Sequence, residues 1–245
     1  MTPTRILVCI PIKPTLHPGL RDRCVALASA LPAANPGLNL ALDIDTTPIP
    51  PDPADCRPWS KVCRIRNRML DRIDRDAFDF LLWIDADVID YPADMPTRLL
   101  AGNPAGISAP LVLIEGTDRS YDWAAFVMAG KDHVLPTDRR RVWGRNLAHE
   151  PPYWHEHDPP RVEDDAGASP RWYEPAGAVV NMDCVGTITL VPTWVYRRAR
   201  YEDHPAFTDH YPLCLACRQA GQRVTVDRSL IAYHADLPKW GEEWH

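Results

Sequence analysis

The chain has 245 residues, of which 45% are hydrophobic and 24% are charged, a composition typical of one α/β-sized globular domain and inconsistent with wholesale disorder. Its formal net charge of −6 argues against a protein that coats nucleic acid by charge alone. We find no run of about 20 apolar residues, so a membrane span is not expected.

The early chain alternates between apolar runs and segments with helical periodicity. Strands are predicted over residues 5–12, 38–45 and 78–84, and helices over 19–31, 60–75 and, shorter, 94–101. A further strand is predicted over 105–114. This order predicts an α/β fold with a doubly wound, mostly parallel sheet flanked by helices, in which ligands bind beyond the carboxyl ends of the strands.

Residues 130–178 differ in character, because hydrophobic periodicity is poor and Pro, His, Trp and charged residues are frequent. We interpret them as an irregular surface insertion, a lid or an acceptor loop. Its histidines include His149, His155 and His157. We expect these three to be solvent-exposed, and the alternative is that they form a metal cluster. Beyond it we predict a strand over 179–191, a helix over 209–220 and short strands over 223–227 and 229–234.

The predicted organisation is a single domain over residues 1–245, with a nucleotide-binding half at 1–90 and an acceptor half at 91–245. The sequence starts without a recognisable signal peptide, and its seven cysteines are scattered, as in a reducing compartment. Both features favour a cytoplasmic protein. The CxxC pair of Cys214 and Cys217 lies in a predicted helix, where two buried thiols are favoured over zinc or redox chemistry.

Two acidic residues, Asp85 and Asp87, follow the apolar strand FDFLLWI in a DxD motif. Side chains at i and i+2 of an extended segment point the same way, so both carboxylates can face one cleft. Two such oxygens can bind Mg²⁺ or Mn²⁺ when diphosphate oxygens and water complete the coordination shell. An acidic turn that closes the strand is the alternative, and we favour the metal site.

The basic helix before this strand carries Arg64 and Arg68 on one face and Arg66 and Asn67 on others. Its guanidinium groups could bind a diphosphate, or they could form a solvated charged face. Two further positions belong to the expected nucleotide site, because they end the first and second strands: Pro11 and Asp45.

Three candidates come from the second half of the chain. Asp183 lies in a nearly apolar strand just before Gly186, which fits close approach to a ligand or a bulge with a satisfied carboxylate. Asp209 is either a catalytic acid or base, or the N-terminal cap of the late helix. His234 ends an apolar strand and either completes the metal shell or is structural.

Taken in order, these stretches resemble the GT-A class of nucleotide-sugar glycosyltransferases, and more narrowly the fungal Golgi mannosyltransferase family that includes the mannan polymerase subunits. The resemblance covers residues 5–125 and 180–236. The matching motifs are Arg66-Asn67, Asp85 with Asp87, Tyr121-Asp122-Trp123, Asp183-Cys184-Val185-Gly186, Asp209 and Tyr233-His234.

The resemblance implies a divalent cation, usually Mn²⁺, held by Asp87 and His234, with Asp85 helping directly or through ribose and water. It also implies a nucleotide-sugar donor, a GDP- or UDP-sugar, which is GDP-mannose in the nearest family. The chain departs from that family in having one glycine, Gly186, where two are usual, and no membrane anchor or stem is expected. Residues 130–178 have no clear counterpart in the family. The sugar and the acceptor therefore do not carry over.

These observations predict a metal-dependent glycosyltransferase. In this hypothesis Arg66 and the cation stabilise the departing diphosphate, Asp45 touches the base or ribose, and Asp183 or Asp209 positions or deprotonates the acceptor hydroxyl. The acceptor is a glycan, a small molecule or a hydroxymethylated DNA base. Two competing hypotheses are a nucleotidyltransferase and a catalytically silent nucleotide-sugar-binding subunit.

Overall fold

The computed structural model describes residues 2–50, 52, 60–117, 121–122, 161–162, 171–172, 178–202 and 208–241. The strands of its main sheet are β1 (Thr4–Pro11), β2 (Leu38–Asp45), β3 (Phe80–Ile84), β4 (Val88–Asp90), β5 (Ile107–Ile114), β8 (Val179–Asn181), β9 (Ile188–Pro192) and β10 (Val224–His234). A separate two-stranded ladder joins β6 (Arg161–Val162) to β7 (Arg171–Trp172). The α-helices are α1 (Pro18–Ala34), α2 (Ser60–Arg72), α3 (Met95–Gly102) and α4 (Tyr211–Gln219).

The main sheet has the strand order β2-β1-β3-β9-β5-β10-β4, and β8 also pairs with β10. Strands β1, β2, β3, β5 and β10 share one direction, and β4, β8 and β9 run opposite to them. The predicted α/β fold with a sheet flanked by helices is confirmed. The carboxyl ends of β1, β3 and β10 therefore lie along one edge, as the prediction of the ligand-binding edge requires.

Alternating side chains of the strands feed two hydrophobic clusters, one on each face of the sheet. On β1, Leu7 and Cys9 pack into the cluster that holds α2 and α4, whereas Ile6, Val8 and Ile10 pack into the one that holds α1 and α3. Strand β3 is buried along its whole length, which explains its nearly continuous apolar sequence.

Several predicted boundaries are corrected. The single strand predicted over 179–191 is two strands, because the chain turns between them at Thr187, whose φ of 52° is left-handed. The two strands predicted over 223–234 are one, β10, with a register shift between Asp227 and Ile231. The Asp227 carboxylate accepts hydrogen bonds from the backbone N–H and hydroxyl of Ser229 at 2.9 and 2.6 Å and stabilises this bulge.

Other differences concern helix ends and a short strand. Helix α1 continues past Pro32 to Ala34, because a proline in the last turn removes a single backbone donor. Helix α2 ends at Arg72, and a 3-10 turn over Arg75–Ala77 replaces its predicted last turn. Strand β4 was not predicted, since three residues are too few to show periodicity.

Most of the predicted insertion at 130–178, including His149, His155 and His157, lies outside the described residues. Among the residues that the structure does describe, none of the helices is long and apolar enough to cross a membrane.

Candidate functional site

A pocket opens at the edge where β1, β3 and β10 end. Its lining comes from the stretch after β1, helix α2, the turn after β3, the pair Tyr121-Asp122, the Gly186-Thr187 turn and the residues just before α4. The charged or titratable side chains of this lining include Lys13, Arg66, Asp85, Asp87, Asp209 and His210.

Asp87 lines this pocket and contacts His234, which is fully buried and absent from the pocket lining. Asp87 follows β3 and His234 ends β10, and the His234 Nε2 lies 3.0 Å from the Asp87 Oδ1. The backbone fixes both residues, because the Ala235 N–H donates to the Asp87 carbonyl at 2.8 Å. The Tyr121 ring stacks on the buried imidazole with centroids 3.4 Å apart and planes at 14°. Both the separation and the orientation of this pair are therefore set by the fold.

The hydrogen bonds of His234 imply a positive charge between the two side chains. Its Nδ1 lies 2.7 Å from the carbonyl oxygen of Ala235, which only accepts, so Nδ1 carries a proton. In a neutral ring the Nε2 lone pair would then face a carboxylate oxygen. Burial opposes the charged imidazole, but Asp87, the Ala235 carbonyl and Asp85 together outweigh it, and the pKa of His234 is raised. Either a proton or a metal ion satisfies both atoms.

Arg66 joins two carboxylates on the next side of the pocket. It donates from Nη2 to Asp85 Oδ1 at 2.5 Å and from Nη1 to Asp209 Oδ2 at 2.6 Å. The Arg66 side chain is only 3% exposed, and its guanidinium lies over the Tyr201 ring at 5.3 Å. Burial raises the pKa of Asp85 to about 6, against the attraction of Arg66 and with the repulsion of Asp87. The pocket thus gathers more carboxylates than one arginine neutralises.

Backbone contacts hold the turn after β3 against the turn before β9. The Asp85 N–H donates to the Thr187 carbonyl at 3.1 Å, and the Gly186 N–H donates to Asp122 Oδ2 at 3.0 Å. Thr187 is β-branched and adopts a left-handed φ, a strained conformation of the kind that clusters at functional sites. Of the motif that begins at Tyr121, Trp123 lies outside the described residues.

The predicted metal set is brought together in part. Asp87 and His234 are in contact, whereas the Asp85 carboxylate bonds to Arg66. Within the described ranges, no group of three or more His, Cys, Asp or Glu side chains is arranged to hold a metal. The structure therefore offers two protein ligands, with Asp85 beside them. Pro11, predicted to belong to the nucleotide site, lines the pocket at the end of β1.

Three other predicted site residues do not line the pocket. Asp45 ends β2 but its carboxylate accepts from Arg68, Arg72 and the Thr47 N–H, so its bonding is structural. The Asn67 amide donates to the Tyr201 carbonyl at 2.7 Å and fixes the loop under Arg66.

The third of these residues, Asp183, pairs with Arg218 of α4 and is absent from the pocket lining. The position of Asp183 gives no support to the catalytic role predicted for it. Asp209 does line the pocket. Its ion pair with Arg66 could not be predicted from the spacing of residues in the sequence.

Among the titratable residues of the pocket lining, sequence reasoning missed two, Lys13 and His210. Lys13 follows the end of β1 by two positions, and His210 adjoins Asp209. Proximity to a strand end or to a candidate acid is therefore the only feature of the sequence that could have indicated them. The interpretation of Cys214 and Cys217 as buried thiols is confirmed, and burial raises the pKa of Cys217 to about 11.

No protein-family model matches this sequence, and a comparison with curated proteins gives no match. One similar solved structure is a glycosyltransferase involved in the glycosylation of the major capsid of PBCV-1, at 14% identity, covering 47% of this chain and 54% of that chain, with a TM-score of 0.30. Another is a 4-diphosphocytidyl-2C-methyl-D-erythritol synthase, at 11% identity, covering 91% of this chain and 89% of that chain, with a TM-score of 0.35. This chain thus spans about half the length of the first structure. Both TM-scores are low, and the proposal below rests on the geometry of the pocket.

Proposed function

We propose that this chain is a glycosyltransferase that uses Mn²⁺ or Mg²⁺ to transfer a sugar from a nucleoside-diphosphate sugar to a hydroxyl acceptor. The observation that carries the proposal is the contact of 3.0 Å between Asp87 Oδ1 and His234 Nε2, two atoms that can share either a proton or a bound metal ion. Their place at the carboxyl ends of β3 and β10 is where an α/β sheet binds its ligand.

The residues fit a divalent cation. Carboxylate oxygen and imidazole nitrogen bind such ions at about 2.0–2.2 Å, so two ligand atoms 3.0 Å apart can share one ion. Mg²⁺ and Mn²⁺ accept few protein ligands when diphosphate oxygens and water supply the rest. Asp87 and His234 would hold the ion, and Asp85 would lie beside it. The bound ion would supply positive charge for the departing diphosphate.

The basic side chains of the pocket suit the same diphosphate. Lys13 and Arg66 line it together with the carboxylates, and Arg66 is held rigidly by Asp85 and Asp209. A guanidinium whose orientation is already fixed loses little conformational entropy on binding, and it stabilises charge where the leaving group develops it. These contacts favour a leaving group that carries two phosphates.

The apolar part of the lining gives the pocket a second property. Leu16, Val62 and Ile65 surround the charged groups with hydrocarbon. Such a wall keeps water from the reacting centre and strengthens the electrostatic interactions inside. Transfer to an acceptor is favoured over loss of the sugar to water.

Asp209 is suited to hold a substrate hydroxyl. Arg66 fixes the orientation of its carboxylate through a bond to Oδ2 at 2.6 Å. We therefore assign it a positioning role within this proposal.

The test is to incubate the protein with GDP-mannose or UDP-glucose, with and without Mn²⁺, and to identify the products. We expect slow, Mn²⁺-dependent release of the nucleoside diphosphate and free sugar, because water substitutes for an absent acceptor. Asp87→Asn should lose this activity, whereas Asp183→Asn, a carboxylate variant outside the pocket, should keep it. Release of pyrophosphate from a nucleoside triphosphate and a sugar phosphate would instead identify a nucleotidyltransferase, and binding without turnover a silent subunit.

A further inference from the structure

His210 is a buried polar residue of the pocket to which the proposed function gives no role. It precedes α4 and is 3% exposed. Its ring packs edge-on against Tyr201, with centroids 5.2 Å apart and planes at 87°. Its backbone carbonyl accepts from the N–H groups of Leu213 and Cys214, but its side chain makes no capping bond among the described residues. The imidazole is therefore not needed to start the helix.

The Nε2 atom of this ring has no hydrogen-bond partner within the described part of the chain. The neighbouring carboxylate oxygen, Asp209 Oδ1, is 4.0 Å away, beyond hydrogen-bonding distance. Burial, together with the positive charge of Arg66, lowers the pKa of His210 to about 3, so the ring is neutral at physiological pH. A buried nitrogen without a partner is destabilising, and such atoms in native proteins usually have a specific cause.

A single hydroxyl group satisfies both atoms. An oxygen about 2.8 Å from each of two atoms that are 4.0 Å apart makes two ordinary hydrogen bonds at an angle near a right angle. The hydroxyl would donate its hydrogen to the Asp209 carboxylate and accept the His210 Nε2–H with one of its oxygen lone pairs. An ether or a fluorine cannot donate, and a methylene makes neither bond. The gap between Asp209 and His210 therefore selects for a hydroxyl.

The place of this gap indicates which part of a substrate it receives. Asp209 contacts Arg66 through Oδ2, and Arg66 contacts Asp85 beside the proposed cation site. The gap thus adjoins Arg66, which is itself proposed to bind the diphosphate. In a nucleotide sugar, the group attached to the outer phosphate is the sugar.

We propose that His210 and Asp209 together bind one hydroxyl of the transferred sugar, so that His210 is a specificity-determining residue. This inference rests on the proposed function. It assigns the sugar to the part of the pocket that the residues just before α4 line.

The test compares wild type with His210→Phe, which keeps the edge-on contact with Tyr201 but has no ring nitrogen, and with His210→Gln, which restores a donor and an acceptor. Affinities for UDP, GDP, UDP-glucose and GDP-mannose are measured by calorimetry with Mn²⁺, without acceptor. The better donor is then tested as its set of monodeoxy-sugar analogues. We expect wild type to bind one analogue roughly tenfold more weakly than the parent, the scale of a lost hydrogen bond to a buried group.

His210→Phe should bind the parent nucleotide sugar about tenfold more weakly and should not distinguish it from that analogue, since residue and hydroxyl form one interaction. Its affinity for the nucleoside diphosphate alone should match wild type, and His210→Gln should recover part of the loss. Wild type that binds every monodeoxy analogue as tightly as the parent overturns the inference without any variant. So does a His210→Phe defect that appears only in the KM for an acceptor. If no nucleoside diphosphate binds wild type, the proposed function fails instead.

Discussion

Helix α2 carries arginines in two contrasting settings. Arg66 lies between Asp85 and Asp209 with 3% of its side chain exposed, at the wall of the pocket. Arg68 and Arg72, on another face of the same helix, bind Asp45 with 30% and 40% of their side chains exposed. The residue types are the same in both clusters, but the arginines differ in burial, whereas the Asp45 carboxylate is itself fully buried.

The difference distinguishes an ion-pair cluster that connects two elements from one that lines the pocket. The cluster at Asp45 connects α2 to the edge strand β2, and water can solvate its arginines. The cluster at Arg66 holds charges in a pocket where desolvation is costly and where a hydrophobic replacement would often be more stable. A protein that retains charges there gains something other than stability, and we infer that it gains a binding site.

The largest effect is expected for Arg66→Met, because it leaves Asp85 and Asp209 without their shared partner. Removing one member of a buried ion pair costs about 3–5 kcal/mol, and Asp209 is nearly as buried as Arg66. Unfolding in urea measures the free energy, and the m value should stay constant if the native state keeps its compactness.

Arg68→Met is the matched control on the same helix. Because Asp45 keeps its bond to Arg72, the Arg68→Met variant should lose on the order of 1 kcal/mol of unfolding free energy, and its ligand binding should be unchanged. Equal losses in the two variants would show that burial does not distinguish the clusters.

Asp45→Asn should have an intermediate effect, because it weakens the bonds of Arg68 and Arg72 at once. A loss of about 1–2 kcal/mol is expected, with unchanged nucleotide binding since Asp45 does not line the pocket. A fall in nucleotide affinity would instead support the prediction from the sequence that Asp45 contacts the nucleotide.

The same variant should alter the dependence of stability on pH. Burial disfavours the Asp45 carboxylate, but hydrogen bonds from Thr47, Arg72 and Arg68 outweigh it, so its pKa is lowered. A carboxylate whose pKa is lower in the folded state stabilises the fold. This contribution is complete at pH values above the unfolded-state pKa of about 4, and it is lost as the pH falls through the folded-state pKa. Wild type should therefore lose stability more steeply than Asp45→Asn below about pH 4. Parallel profiles would contradict this assignment.

The smallest effect is expected for Asp183→Asn. Its pair with Arg218 is partly exposed, and such pairs contribute about 1 kcal/mol or less. Turnover of the nucleotide sugar should stay within about twofold of wild type, because Asp183 does not line the pocket. A large fall in kcat would restore the catalytic role predicted from sequence.

The sequence predicted the parts of the site that lie directly at strand ends. Asp87 and His234 end apolar runs, and the sheet topology alone brings such ends to one edge. For the same reason the order of strands and helices predicted the fold class. Boundaries failed where a local feature interrupts periodicity, as at the left-handed Thr187 and the bulge after Asp227.

Partners across long sequence separations could not be predicted. Four aspartates that the sequence does not distinguish have different arginine partners: Asp85 and Asp209 share Arg66, Asp45 bonds Arg68 and Arg72, and Asp183 bonds Arg218. Which of them faces the pocket depends on the packing of α2 and α4 against the sheet. His210 was missed because burial without a partner is a property of the folded chain.

The most direct measurement of the central claim is the increase in melting temperature that UDP and GDP produce, with and without Mn²⁺, in wild type and in Asp87→Asn. A ligand that binds only the native state raises stability by mass action. We predict an increase for at least one nucleotide that requires Mn²⁺ in wild type, persists in Asp183→Asn and is absent in Asp87→Asn. An increase of the same size in Asp87→Asn, or one in wild type that does not depend on the cation, would contradict the proposal that Asp87 and His234 hold the ion.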